Sequence, residues 1–149
     1  MTTDPSQRPV VAIRAFVADS QDHILLLRRA NSEYGEGQWC LPGGKLDYGD
    51  TPENTVAKEL VEETGLTAKD VTFLFYQNSP PLQPGKMHCV NLYFRCTAVG
   101  AVTLNEESSA FVWVTLEEAL GYKPVFGAEP AIRRVIEQGR FSASTTPGT

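Results

Sequence analysis

The chain has 149 residues, of which 42% are apolar and 21% charged, with a net charge of −5. This length can bury one sizeable core, and the composition is that of a water-soluble globular protein. The acidic balance argues against a broad nucleic-acid surface, which is normally basic, and no apolar run is long enough to span a bilayer.

Residues 1–8 are polar, lack the hydrophobic core of a signal peptide, and are expected to be loose. Val10 to Val17 is apolar apart from Arg14 and predicts a strand. After a turn at Ser20-Gln21-Asp22, His23 to Arg29 predicts a second strand, and the two are expected to form a hairpin. In that second strand Leu25, Leu27 and Arg29 alternate onto one face. Asn31 to Gly37 reads as a polar loop leading through Trp39-Cys40-Leu41 to a turn at Pro42-Gly43-Gly44. A helix is predicted between Thr51 and Gly65. Thr51 is a good N-cap, Pro52 suits the first turn, and Gly65 can close the helix in a left-handed conformation. Val56, Ala57, Leu60 and Val61 are expected to form its apolar side.

Val71 to Gln77 predicts the next strand. Asn78 to Gly85 holds Pro80, Pro81 and Pro84 and reads as a surface loop. Met87 to Ala98 is rich in β-formers and predicts a long strand, and Ala110 to Val114 a short one. Thr115 with Glu118 forms a capping-box pattern for a short helix. Ala128 to Gln138, with Pro130 near its start, predicts the last helix. The tail 141–149 is polar and expected to be flexible. Strands outnumber helices, so a mixed sheet packed between helices is the natural arrangement. Cys40, Cys89 and Cys96 are odd in number and lack a CxxC spacing, which favours reduced thiols in a cytosolic protein.

The chemistry concentrates in the predicted acidic helix. Glu59, Glu62 and Glu63 stand at i, i+3 and i+4 and therefore share one helix face. Carboxylates this close repel unless a cation sits among them, and a hard divalent ion with oxygen ligands answers that need. Gly43 and Gly44 let the main chain approach an ion or a phosphate closely. Glu-Glu pairs alone are usually a solvated face. The glycine turn, helix cap, three acids and closing glycine together point to function.

The stretch from Gly44 to Leu66 resembles the signature of the Nudix hydrolases. Gly44, Glu59, Leu60, Glu62, Glu63, Gly65 and Leu66 match that pattern. Asp50 stands where the family usually has Glu, and Lys58 where it has Arg. A Lys ammonium cannot copy the forked contact of a guanidinium. The resemblance implies an α/β/α sandwich with a mixed sheet, as a single domain over residues 1–149. It implies Mg²⁺, with Mn²⁺ as a substitute, held by Glu59, Glu62, Glu63 and the Gly43 carbonyl. It leaves the general base open between Glu59 and an acid of the loop before a late strand, Glu106 or Glu107, of which Glu107 is preferred as an additional metal ligand or base. Arg29 and Lys45 are the expected phosphate-binding cations. Tyr34, Trp39, Tyr48, Phe75 and Tyr76 are the aromatics available for a nucleobase. His88 reads as structural.

The implied reaction is hydrolysis of the diphosphate linkage in a nucleoside diphosphate derivative such as ADP-ribose or a nucleotide sugar. One alternative is a nucleoside triphosphate pyrophosphatase that removes oxidised or non-standard nucleotides. Others are a nucleotide-sensing module without turnover and an isoprenoid isomerase of the same fold. The expected partner is a small nucleotide, with neither nucleic-acid polymer nor membrane. A homodimer is the default assembly.

Overall fold

The computed structural model describes residues 7–32 and 35–139. The tails expected at 1–8 and 141–149 lie outside the described residues except for Gln7 and Arg8, and so does Tyr34. Along the chain run β1 (Val10–Ala18), β2 (Ile24–Arg29), β3 (Trp39–Cys40), β4 (Gly43–Lys45), α1 (Pro52–Thr64), β5 (Thr67–Ser79), β6 (Cys89–Val99), β7 (Ser108–Val114), α2 (Leu116–Gly121) and α3 (Ala128–Glu137). No helix among the described residues is long and apolar enough to cross a membrane.

The sheet is mixed. β1 runs parallel to β6 over its whole length, from Val10 opposite Cys89 to Ala18 opposite Thr97, while β5 and β6 form an antiparallel hairpin. β2 pairs antiparallel with β7 on one edge. β1 and β2 meet as expected through a tight turn, but their pairing is recorded only at Ala18 and Ile24. Beyond that point β4 takes the edge of β1 and β3 takes the edge of β2. Leu41 and Pro42 thus bridge a split in the sheet. The start of β4 was expected as a glycine turn and β3 was assigned to no element, because so few residues carry no period.

Alternation along β1 and β2 fills two cores. Ile13, Val17, Leu25 and Leu27 pack with Val56 and Leu60 of α1 on one face. Phe16, Ile24 and Leu26 pack with Leu116 of α2 and Ile132 of α3 on the other. Both faces of the sheet are therefore helix-covered, which is the α/β/α sandwich expected. β5 extends to Ser79, so Asn78 and Ser79 belong to the sheet instead of the proline loop. Their strand partners are Val90 and Cys89, and the buried Asn91 donates from Nδ2 to Ser79 Oγ at 2.9 Å. The Thr115 capping box forms as expected, with both reciprocal bonds. All three cysteines are free thiols.

The apolar side of α1 differs from the expectation. Thr55, Val56, Leu60 and Thr64 are buried, whereas Val61 is 54% exposed. Residues 56, 60 and 64 repeat at four, and Val61 lies about 100° further round, toward solvent. Thr55 and Thr64 can be buried because their hydroxyls donate to the carbonyls of Thr51 (2.9 Å) and Leu60 (2.6 Å).

Leu60→Ala should accordingly cost about 3 kcal/mol, and Val61→Ala less than about 0.5 kcal/mol. Urea midpoints check both, and equal costs would contradict the observed face. Burial also pushes the Cys96 thiol up to about 12. Above the usual thiol range the unfolded chain releases this proton while the folded one keeps it, so stability should fall as pH rises from about 9 toward 12. Cys96→Ala should flatten that decline in a pH series of melting temperatures, and an unchanged slope would count against it.

Candidate active site

The acidic helix is set in place by its ends. Thr51 has extended backbone and its hydroxyl accepts the Asn54 N–H at 3.1 Å, with Pro52 following. Gly65 closes the helix at φ 73°, its N–H donating to the Val61 carbonyl at 2.9 Å. With the apolar side anchored, Glu59 and Glu63 turn toward the split in the sheet.

There they meet the glycine turn. The Gly43 N–H donates to Glu63 Oε1 at 3.1 Å. A β-carbon on Gly43 would overlap the Ile13 carbonyl oxygen, so only glycine allows β4 to lie against β1. A β-carbon on Gly44 would sit 2.6 Å from the Glu59 carboxyl carbon. Two successive glycines thus receive two acids of α1. Glu62 is exposed, and its backbone carbonyl accepts from Asn105 Nδ2 at 2.9 Å.

The same Asn105 brings in Glu107. Its Nδ2 donates to Glu107 Oε1 at 3.2 Å and its Oδ1 accepts the Glu107 N–H at 2.9 Å. The Ala30 N–H donates to the Glu107 carbonyl, which ties this loop to the end of β2. Glu107, Glu63, Arg29 and Cys40 line one cavity of about 100 Å³. Glu106 contributes its carbonyl to Asn31 Nδ2 at 2.8 Å.

The acids perturb one another. Burial pushes the Glu63 carboxyl up to about 8, the Gly43 N–H opposes this, and Glu59 and Glu107 add to it. Burial and then the charge of Glu62 raise Glu59. Among the described residues no three acid, His or Cys side chains converge as a ready-made metal cage. Glu59 rests on Gly44, Glu63 on Gly43, and Glu62 faces water, as repelling carboxylates do. The donor set still suits a hard divalent cation. It is all oxygen, and two of its carboxyls are raised by burial and like charge, a penalty that a cation would relieve.

The cations separate into three groups. Lys58 Nζ lies 2.8 Å from Asp47 Oδ2 and 3.2 Å from Asp50 Oδ2, so the departures at positions 50 and 58 pair with each other. They tie the loop before α1 to the helix. Lys45 is exposed and lines a separate open hollow with Asp47 and Tyr48. Arg29 lines the acid cavity together with Leu27, in keeping with the alternation expected along β2. Opposite them, Arg28 faces Ala110 and Arg29 faces Ser108, so Ser109 is a bulged extra residue of β7. Arg14 and Phe126 were not singled out from the sequence. Arg14 lies opposite Gly43 across β1 and β4, and the guanidinium carbons of Arg14 and Arg29 sit 5.1 and 4.6 Å from the Phe126 ring centroid. One signal was available, an Arg interrupting an apolar strand.

The remaining residues have structural surroundings. Trp39 packs edge-on to Tyr122 at 5.1 Å, and Phe75 is buried beneath Arg134. Tyr48 and Tyr76 are exposed. His88 Nε2 is 2.6 Å from Asn78 Oδ1 on the β5–β6 hairpin.

A family model described as NUDIX domain matches residues 8–138. A MutT-like protein of Streptomyces ambofaciens is 36% identical over 110 residues, which cover 72% of this chain and 65% of that protein. An ADP-ribose pyrophosphatase of Methanocaldococcus jannaschii is 34% identical over 92 residues, covering 62% of this chain and 53% of its own length. The alignments thus span less than two thirds of these relatives. Among solved structures, the MutT protein from Methanosarcina mazei Go1 superposes with a TM-score of 0.76 at 26% identity, over 91% of this chain and 99% of that one.

Gly44→Ala should leave the fold intact, since the clash falls on the movable end of Glu59. Its crystal structure should show the Glu59 carboxylate swung away from residue 44. A carboxylate in its original place would refute the contact as the cause of its position.

Proposed function

The chain belongs to the Nudix hydrolase family, and on that premise we propose that it hydrolyses the diphosphate linkage of a nucleoside diphosphate derivative, with ADP-ribose or a nucleotide sugar as the substrate class. The observation that carries this reading is the seating of Glu63 and Glu59 on Gly43 and Gly44 beside a cavity that Arg29 and Glu107 also line. The relative named ADP-ribose pyrophosphatase supports the diphosphate class. Residues 1–149 act as one such domain on a small nucleotide.

Glu59, Glu62, Glu63 and the Gly43 carbonyl would hold Mg²⁺ or Mn²⁺. Such a cation, when bound, neutralises phosphate oxygens and stabilises the charge that develops on the leaving phosphate. Arg29 draws the phosphate chain to the cavity through a charge-assisted contact. Glu107 takes the proton of the attacking water at its carboxylate, a reading supported by its bond from Asn105 Nδ2 beside the cavity. Lys45, exposed beside the glycine turn, meets a distal part of the substrate. The Asp50–Lys58 pair keeps the loop before α1 in register without the forked geometry of an arginine.

The test is product identification from a panel of ADP-ribose, nucleotide sugars and oxidised deoxynucleoside triphosphates, with Mg²⁺. Release of a nucleoside monophosphate from the diphosphates is expected. Turnover of the triphosphates alone would move the assignment to a triphosphate pyrophosphatase, and tight binding without any product would favour a sensing module. Glu62→Gln and Glu63→Gln should each lower kcat by at least about a hundredfold while the proteins stay folded by circular dichroism. Full activity in both would remove the metal-site reading.

A further inference from the structure

β1 is apolar on both faces except at Arg14. A charged side chain in a central strand needs a reason, because a buried charge without a partner is costly. Arg14 is partly buried, its Nε is cut off from solvent, and that Nε has no hydrogen-bond partner among the described residues. Among the described residues the burial of this guanidinium is thus not compensated by a protein acceptor at Nε.

Its neighbours point the same way. Arg14 stands opposite Gly43, the residue whose N–H holds Glu63. Arg29, on the other side of the split, lines the acid cavity. Both guanidiniums lie against the Phe126 ring, at 5.1 and 4.6 Å from its centroid. Two like charges drawn to one ring repel each other. The ring's negative faces offset part of that repulsion, and an anion between them would relieve the rest.

Phe126 is not there by default. It holds a left-handed φ of 64°, a conformation that bulky residues adopt only when the surroundings impose it. The surroundings do so. The Val125 N–H donates to the Trp39 carbonyl at 2.9 Å, and the Gly127 carbonyl accepts from Gln77 Nε2 at 2.9 Å and Tyr93 Oη at 3.4 Å. The turn before α3 is thus bonded to β3, β5 and β6. The ring it presents stays 37% exposed above the two arginines.

We propose that Arg14 is a second phosphate-binding cation, its guanidinium donating to a non-bridging oxygen of the substrate's phosphate chain, and that Phe126 is a positioning residue that holds Arg14 and Arg29 in one orientation for it. The proposal rests on the nucleotide-hydrolase reading for its substrate class. A planar guanidinium held against an aromatic ring loses little freedom on binding, and its contact to a phosphate oxygen is charge-assisted.

The test titrates ADP calorimetrically into the full chain, with Mg²⁺ and separately with EDTA. Arg14→Ala and Arg14→Gln are each expected to weaken ADP about tenfold in both conditions. Phe126→Leu should weaken it about threefold, and Phe126→Tyr, which keeps an aromatic face, should recover most of that loss. On any substrate turned over, Arg14→Gln should raise KM about tenfold with a much smaller change in kcat. A purely structural role would instead lower kcat and melting temperature together. ADP affinity within twofold of wild type in both Arg14 variants overturns the proposal, as does absence of ADP binding by the folded wild type. If the wild type binds ADP yet hydrolyses nothing on the panel, the proposed activity fails and the titration alone decides the role of Arg14.

Discussion

Contact between one helix and two consecutive glycines organises the site. α1 brings Glu59 and Glu63 down onto Gly44 and Gly43. Any side chain at those two positions would strike either the carboxylate above or the β1 carbonyl below. The burial that comes with this contact is unfavourable for the protein alone, since desolvation and neighbouring acids raise both carboxyls, and the Gly43 N–H offsets only part of it at Glu63. What holds it is the apolar side of the helix. Val56 and Leu60 are buried in the core with Ile13, Val17 and Leu27, and that core fixes where the acids must lie.

The split between β1 and β2 supplies the space. The two strands meet at Ala18 and Ile24 and then take different partners, so the chain from Trp39 to Lys45 crosses the gap and carries the glycines into it. Side chains from separate stretches meet around it: Arg29 from β2, Glu63 from α1 and Glu107 from the loop before β7 line one cavity, with Arg14 of β1 opposite Gly43. A ligand in such a crevice is flanked by residues far apart in sequence, as is common where strand order changes in α/β sheets. Asn105 joins two of these stretches, bonding the Glu62 carbonyl on one side and Glu107 on the other.

Much of this was legible in the residues. Thr51, Pro52 and Gly65 marked the helix ends because capping is local chemistry, satisfied within a few residues. The long strands and the Thr115 cap were legible for the same reason, and the shared face of the three glutamates follows from helix geometry alone. The errors have a common origin in pairing with distant chain. Asn78 and Ser79 looked like the start of a proline loop until the opposing strand supplied partners for them. Val61 looked apolar and therefore buried, yet the four-residue spacing of the true contacts turned it outward.

The sequence by itself determined the helix, its caps, its acidic face and the glycines that precede it, because each depends on spacing within one turn or one dipeptide. Only the tertiary structure decided which acid meets which glycine, that Asp50 pairs with Lys58, and that Arg14, Arg29 and Phe126 stand together. Those relations depend on where β1 and β2 part and on how the turn before α3 is bonded to the sheet. No local pattern encodes them, since they arise when strands distant in sequence share one set of backbone hydrogen bonds.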